Sequence, residues 1–232
     1  MNERGVRLLP AQMVTGFPNL LRPVAEWLIR MRVRPNTITS SSVIVVIGAG
    51  AAFGLDQPRL GALWLLLSGL LDILDGQVAR RGGMVSRFGA FFDSTLDRIG
   101  EAVLYAGIAI YFQTAAGQER PVLGVTAALA ALTGSFLVSY ARARAEGLGV
   151  ECRVGLAQRP ERILGVGVPT LFLGAGPHGL LLLVIIGILA ILSWYTVAQR
   201  VAHVFRVTSG DGAAPSAAAP AAPSVGSFPK GK

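Results

Sequence analysis

Cysteine is almost absent from this chain, and charged side chains are scarce. The single cysteine, Cys152, excludes an intrachain disulfide and argues against a cysteine-ligated metal site. Only 15% of the residues are charged while 52% are hydrophobic, a balance that soluble domains rarely show. No apolar run follows Arg4 and Arg7, so the N-terminus does not resemble a signal peptide. The scarcity of charged residues and the high hydrophobic content indicate a polytopic membrane protein.

Acidic residues are also few, 13 against 21 basic ones, which gives a formal net charge of +8. Apart from Lys230 and Lys232, the lysine and arginine positions are all arginine. In a soluble protein this excess would suggest nucleic acid. In a membrane chain it marks cytoplasmic loops and contacts with anionic lipid or phosphate, so we predict a bilayer and no nucleic acid as partner.

Six apolar segments predict the fold class, which is all-α with six transmembrane helices. Most of them approach the roughly 20 residues that a spanning helix needs. We place them near Thr37–Leu55, Arg59–Val78, Gly89–Phe112, Val122–Tyr140, Ile163–Ala175 and Leu180–Val201. The six-helix domain is predicted to occupy residues 36–206, and the Ala/Pro/Ser/Gly-rich segment 207–232 is predicted to be a disordered tail.

The first 35 residues are predicted to form a cytoplasmic segment that contains one amphipathic helix. Between Phe17 and Met31, apolar residues recur at helical spacing with arginines and Glu26 among them. This pattern is typical of a juxtamembrane helix on the membrane surface, and an ordinary packed helix is the alternative.

The distribution of arginine predicts the orientation. With six spans both termini share one side, and nearly all the arginines and both lysines fall there. The opposite side receives only Arg59 and Arg120. The positive-inside rule therefore places both termini, and the active site, on the cytoplasmic side of the cell membrane.

Four aspartates interrupt the second and third apolar segments. Asp72 and Asp75 lie in D-I-L-D-G-Q-V-A-R, and Asp93 and Asp97 lie in G-A-F-F-D-S-T-L-D. Each pair falls on one helix face, and the link from Arg80 to Phe88 lets the two faces meet. A lone aspartate near a bilayer centre costs about 2.5–3.5 kcal/mol, and four would also repel one another. A divalent cation, or a pair of them, is the simplest partner for such oxygen ligands.

The pattern D-x-x-D-G-x-x-A-R, eight residues, then G-x-x-x-D-x-x-x-D resembles the signature of the CDP-alcohol phosphotransferases. The resemblance covers about residues 17 to 206. It implies transfer of a substituted phosphate from a CDP-linked lipid to an alcohol with release of CMP, and a homodimer. It also implies two divalent ions, Mg²⁺ or Mn²⁺, bound by Asp72, Asp75, Asp93 and Asp97, with Asp97 as the general base.

The same resemblance assigns the residues that hold the CDP-lipid. Gly76 and Ala79 would face the cytidine, and Arg80 would reach a phosphate. Asn36 and Thr39, in P-N-T-I-T, would edge the nucleotide site, although we favour helix capping for Asn36. Glu101 extends the aspartate stripe by one turn, and we favour a structural pairing with Arg98 or a neighbouring helix over metal ligation.

A second cluster concerns the acceptor. The strings S-Y-A-R-A-R-A-E at Ser139–Glu146 and R-P-E-R at Arg159–Arg162 resemble the branch of the family that makes phosphatidylinositol phosphate from CDP-diacylglycerol and inositol phosphate. Arg142 stands where lysine is frequent in that branch. Arginine binds phosphate through paired N–H donors. The residues assigned to the acceptor phosphate are Ser139, Arg142, Arg144, Arg159, Arg162 and Arg200, and we expect at least one of Arg142 and Arg144 to turn inward.

Other functions stay open at this point. Within the family, the alternatives are a phosphatidylglycerophosphate synthase that uses glycerol 3-phosphate, and the archaeal ether-lipid equivalent. Outside it, the aspartates would form the ion path of a metal or phosphate transporter. Transporters more often show internal repeats, and this sequence has one acidic cluster in one half.

Overall fold

The computed structural model describes residues 20–152, 154–156 and 158–210, and within these ranges the chain is helical with no strand. A short 3₁₀ turn, Pro177–Gly179, precedes the last helix. The α-helices are α1 (Arg22–Arg30), α2 (Pro35–Gly54), α3 (Pro58–Arg81), α4 (Arg87–Thr114), α5 (Pro121–Gly147), α6 (Arg159–Leu173) and α7 (Leu180–Gly210). The predicted all-α class is confirmed.

Four helices are long and apolar enough to cross a membrane, so the chain is a multi-pass membrane protein. They are α2, α3, α5, and α7 with its preceding turn. The other two predicted spans, α4 and α6, do not meet this criterion, for physical reasons. Helix α4 carries four charged residues in its first half and Glu101 just after it, and α6 has only 15 residues with Pro169 inside it. At 1.5 Å per residue, α6 alone is shorter than a hydrocarbon core of about 30 Å.

Proline sets the start of several helices. Pro35, Pro58 and Pro121 each occupy the first turn, where the missing N–H costs nothing and the fixed φ suits the helix. Helices α5 and α7 run further than predicted. Because α7 ends at Gly210, its last four residues lie inside the segment predicted to be disordered, and the rest of that segment lies outside the described residues.

The helices pack in an order that brings distant parts of the sequence together. Helix α2 packs on α3 and α4, α5 packs on α4 and α7, and α6 packs on α3. The closest approach joins α2 to α4, where a Cβ added to Gly107 would lie 2.0 Å from the carbonyl oxygen of Gly50. Only glycine at this crossing lets the two backbones touch, as small residues do in membrane helix packing.

Helix α1 packs across the end of α3. Its buried Ala25 joins Ile38, Leu74 and Val78 in a small core of its own. The opposite face leaves Trp27 exposed, together with Leu20, Val24 and Met31. The helix thus has one packed and one exposed apolar face, and residues 1–19 of the predicted N-terminal segment lie outside the described range.

Replacing Gly107 with alanine should destabilise the protein. The new methyl group would force α2 and α4 apart, at a cost of about 1–3 kcal/mol. Thermal unfolding in detergent measures it. Gly187→Ala in α7 is the matched control, because nothing lies within 4 Å of a Cβ there. That control should leave stability unchanged or raise it by up to about 1 kcal/mol, and an equal response of both variants would contradict the close crossing.

Candidate active site

The predicted site residues lie where the ends of six helices meet. The start of α2, the end of α3 and the start of α4 bring Thr39 and the four aspartates together. The end of α5, the start of α6 and the second half of α7 carry Ser139 and the arginines. The link between α3 and α4 lets the aspartate faces meet, as the sequence predicted, and it is pinned by Ser86, whose hydroxyl accepts a hydrogen bond from the Gly89 amide.

Arg159 joins the two acidic helices. Its Nη2 lies 2.8 Å from Oδ2 of Asp72 on α3 and 2.8 Å from Oδ1 of Asp97 on α4. Its Nη1 also donates to the backbone carbonyl of Asp97 at 3.1 Å. The sequence assigned Arg159 to the acceptor phosphate, and the structure places it directly against the carboxylates. Arg159 is therefore part of the acidic site.

Asp75 is the most buried of the four aspartates, with 7% of its surface exposed. The hydroxyl of Thr39 donates to its Oδ2 at 2.7 Å. A buried carboxylate needs such a donor, because an unsatisfied charged oxygen costs more than the hydrogen bond itself returns. Thr39 was predicted to edge the nucleotide, and here it holds Asp75 in place across the α2–α3 contact.

The aspartates offer hard oxygen ligands for a cation. Oδ1 of Asp72 is buried without a hydrogen-bond partner, and Asp93 lies close enough to interact electrostatically with both Asp72 and Asp75. Such carboxylates suit Mg²⁺ or Mn²⁺. Among the described residues, however, no three His, Cys, Asp or Glu side chains are arranged to hold a metal ion. Arg159 and Thr39 contact three of the carboxylate oxygens, Oδ2 of Asp72, Oδ1 of Asp97 and Oδ2 of Asp75.

Glu101 anchors a buried network one turn beyond Asp97. Its Oε1 lies 2.5 Å from Nη2 of Arg162, and its Oε2 accepts a hydrogen bond of 2.5 Å from Ser135. Arg98 and Arg159 lie 3.4 and 3.8 Å from the same carboxylate. The predicted pairing of Glu101 with Arg98 and a neighbouring helix is confirmed, and the contact with Ser135 on α5 was missed. The one sequence feature that pointed to Ser135 was its spacing of one helical turn from Ser139, a predicted site residue.

The rest of the predicted acceptor cluster does not gather around Arg159. Arg142 and Arg144 are both exposed, so the expectation that one turns inward is wrong; Ala145 takes the buried position. Arg142 instead pairs with Glu146 at 2.8 Å. The hydroxyl of Ser139 donates to the carbonyl of Ser135 in its own helix.

Arg200 connects two helices and the segment before α6 through hydrogen bonds. It is 5% exposed, and its guanidinium donates to the backbone carbonyls of Val138 and Val154. It therefore connects α7 with α5 and with the segment that precedes α6. A guanidinium with two of its nitrogens on carbonyls has fewer donors left for a phosphate than the sequence prediction required.

The residues predicted for the CDP-lipid flank the aspartates. The guanidinium of Arg80 folds over Gly76, where an added Cβ would lie 3.0 Å from Nη1, and Ala79 is half-buried. Asn36 lies inside the first turn of α2 with its Oδ1 near Gly89, and Arg34 is the N-cap residue without a side-chain hydrogen bond. The capping role favoured for Asn36 is therefore wrong, because Pro35 already starts the helix.

Several known proteins are similar to this chain over most of its length. The family model described as CDP-alcohol phosphatidyltransferase matches residues 32–205. An archaetidylinositol phosphate synthase of Methanothermobacter thermautotrophicus is 37% identical over 198 residues, covering 84% of this chain and 95% of the relative. A phosphatidylinositol phosphate synthase of Cutibacterium acnes is 36% identical over 203 residues, covering 82% and 95%.

Solved structures of a Mycobacterium tuberculosis phosphatidylinositol phosphate synthase are similar over most of the chain. The structure in complex with manganese and citrate gives a TM-score of 0.69 at 31% identity, covering 79% of this chain and 88% of that one. The structure with CDP-DAG bound gives a TM-score of 0.68 and covers 79% and 92%. The helical fold is thus shared with these solved structures over most of both chains.

Thr39→Val should destabilise the protein by about 1–3 kcal/mol, because the buried Oδ2 of Asp75 would lose its donor. Thermal unfolding in detergent with a chelator present removes any contribution from metal. Thr126→Val is the matched control, since its exposed hydroxyl only returns to Val122 of its own helix, and it should change stability by less than about 0.5 kcal/mol. Equal shifts in the two variants would contradict the positioning of Asp75 by Thr39.

Proposed function

Since the chain belongs to the CDP-alcohol phosphatidyltransferase family, we propose that it transfers a phosphatidyl group from CDP-diacylglycerol to a hydroxyl of inositol phosphate and releases CMP. Family membership makes the chain an enzyme, which sets the transporter alternative aside. The observation that carries the proposal is the contact of Arg159 with Asp72 and Asp97, because it places a phosphate-binding side chain beside the acidic site.

The relatives support the choice of acceptor. The names of the archaeal and bacterial relatives differ in the lipid, yet both name an inositol phosphate lipid as the product. A similar solved structure carries CDP-DAG. The acceptor assignment also has a physical basis, since a phosphorylated alcohol needs cationic donors that a neutral alcohol does not. Arg159 and Arg162 start α6 on one helix face, spaced three residues apart, and face the acidic helices.

In the proposed reaction Asp97 accepts the proton of the acceptor hydroxyl. The hydroxyl oxygen then forms a bond to the phosphorus that carries the lipid, and the bond from that phosphorus to the oxygen of CMP breaks. Arg159 holds the carboxylate of Asp97 from the side of α6, which orients the base. Arg80, folded over Gly76, is positioned to meet a phosphate of the donor.

We assign the metal ligands to Asp72, Asp75, Asp93 and Asp97, with Mg²⁺ or Mn²⁺ as the two ions. A similar solved structure contains manganese. Bound divalent ions would neutralise the pyrophosphate and stabilise the leaving CMP. Thr39 would then orient Asp75 as a ligand, in the way that hydrogen-bonded neighbours orient the ligands of metal sites.

The arrangement in the membrane follows from the same proposal. We place all six helices α2–α7 across the bilayer, with the charged half of α4 at the cytoplasmic edge. Helix α1 lies on the cytoplasmic surface with Trp27 and Met31 toward the lipid. Both termini lie in the cytoplasm by the positive-inside rule, and two copies form a homodimer.

A panel of acceptors tests the function. With CDP-diacylglycerol and Mg²⁺ in detergent, CMP release should be fastest with inositol phosphate, slower with glycerol 3-phosphate and about tenfold or more slower with inositol, whose missing phosphate leaves the arginines without an anion. A preference for glycerol 3-phosphate would favour the phosphatidylglycerophosphate alternative. A preference for inositol itself would contradict the proposal.

Asp93→Asn should reduce CMP release to background while the protein stays folded, because an amide is a far weaker ligand for a hard cation. Size-exclusion chromatography and thermal unfolding check the fold. Asp56→Asn is the matched control: this aspartate is exposed at the other end of the helices, and its positive φ suits asparagine equally well. Substantial turnover by Asp93→Asn at saturating Mg²⁺ would remove Asp93 from the ligand set, and chelation of the wild type should stop turnover in the same way.

A further inference from the structure

Glu101 is a buried carboxylate that the proposed reaction does not use. Its exposed fraction is 7%, and it lies one helical turn beyond Asp97 on the same face of α4. Three guanidinium groups, those of Arg98, Arg159 and Arg162, lie within 3.8 Å of this one carboxylate. Pairing the charge of Glu101 requires one of them. Arg159 also contacts Asp72 and Asp97, and Arg98 lies 3.7 Å from Asp97, so Glu101 shares two of its guanidinium groups with the aspartates.

Both arginines of α6 approach Oε1 of Glu101. Arg162, 5% exposed, places Nη2 2.5 Å from Oε1. Arg159 reaches the same oxygen at 3.8 Å with Nη1 while its Nη2 contacts Asp72 and Asp97. Glu101 therefore holds Arg162 directly and lies near Nη1 of Arg159, while Nη2 of Arg159 contacts the proposed base, Asp97.

Ser135 keeps Glu101 from turning away. Its hydroxyl, fully buried, donates to Oε2 at 2.5 Å from α5. Because Oε2 is held by α5 and Oε1 faces α6, the carboxylate plane is fixed from two sides. Side chains that bind a phosphate productively are locked in this way by neighbours that do not themselves touch the substrate.

We propose that Glu101 is a positioning residue for acceptor binding: held by Ser135, it aims Arg159 and Arg162 at the acceptor's phosphate. This inference rests on the proposed function. A residue that merely ties α4 to α6 would affect stability and every kinetic constant alike. A positioning residue would change the KM for the phosphorylated acceptor and leave the donor and the metal sites alone.

The test compares Glu101→Gln with wild type, in detergent, with inositol phosphate and CDP-diacylglycerol. The acceptor KM should rise about ten- to a hundredfold, the range expected for losing a charge-assisted contact. The donor KM, and the Mn²⁺ affinity measured by electron paramagnetic resonance without substrates, should stay within about twofold. Glu101→Asp, which keeps the charge on a shorter arm, should recover part of the acceptor affinity.

Two further variants keep the inference testable if Glu101→Gln does not fold. Ser135→Ala preserves the buried charge and should still raise the acceptor KM severalfold, because Oε2 loses its donor. Thr170→Val, at a buried position of α6 away from the network, should change no constant. Unchanged acceptor KM in both Glu101→Gln and Ser135→Ala would overturn the inference alone, as would a parallel loss of all constants. A wild type that uses no phosphorylated acceptor would overturn the proposed function, and this inference with it.

Discussion

The contact of Arg159 with Asp72 and Asp97 is the interaction on which the rest of the site depends. Carboxylates in apolar helices repel one another, and an opposite charge between them offsets this repulsion. Arg159 joins the helices of the acidic motif to the start of α6, which lies 62 residues after Asp97 in the sequence. The same guanidinium touches the network of Glu101, so the acidic and basic halves of the site are held by one side chain.

The helix packing brings these side chains together. The glycine contact of Gly50 with Gly107 lets α2 and α4 touch, and the packing of α2 on α3 places Thr39 beside Asp75. Helix α6 is short, and it contributes to the site through its first turn, which carries Arg159 and Arg162. Arg200 connects α7 to α5 through the carbonyl of Val138, and to the segment before α6 through the carbonyl of Val154.

Much of this was predictable from the sequence, because the aspartate motif and the apolar segments depend on local spacing. The six long helices lie where hydropathy placed them, to within a few residues at most ends. Partners across helices were not predictable. The spacing of Arg142 and Arg144 suggested one inward side chain, whereas the end of α5 turns Ala145 inward instead. Asn36 resembled a cap because of its residue type, and Pro35 had already taken the helix start. The partnership of Thr39 with Asp75 spans 36 residues and left no local signal.

In the proposed reaction donor and acceptor meet at one site, where an acceptor hydroxyl attacks the lipid-bearing phosphorus beside Asp97. Mass spectrometry of the reaction, with ¹⁸O in the hydroxyl groups of inositol phosphate, tests this directly. We expect a phosphatidylinositol phosphate product that carries the label and equals the CMP in amount, with no label in CMP. Labelled CMP, or CMP formed together with phosphatidic acid in place of the inositol lipid, would contradict it.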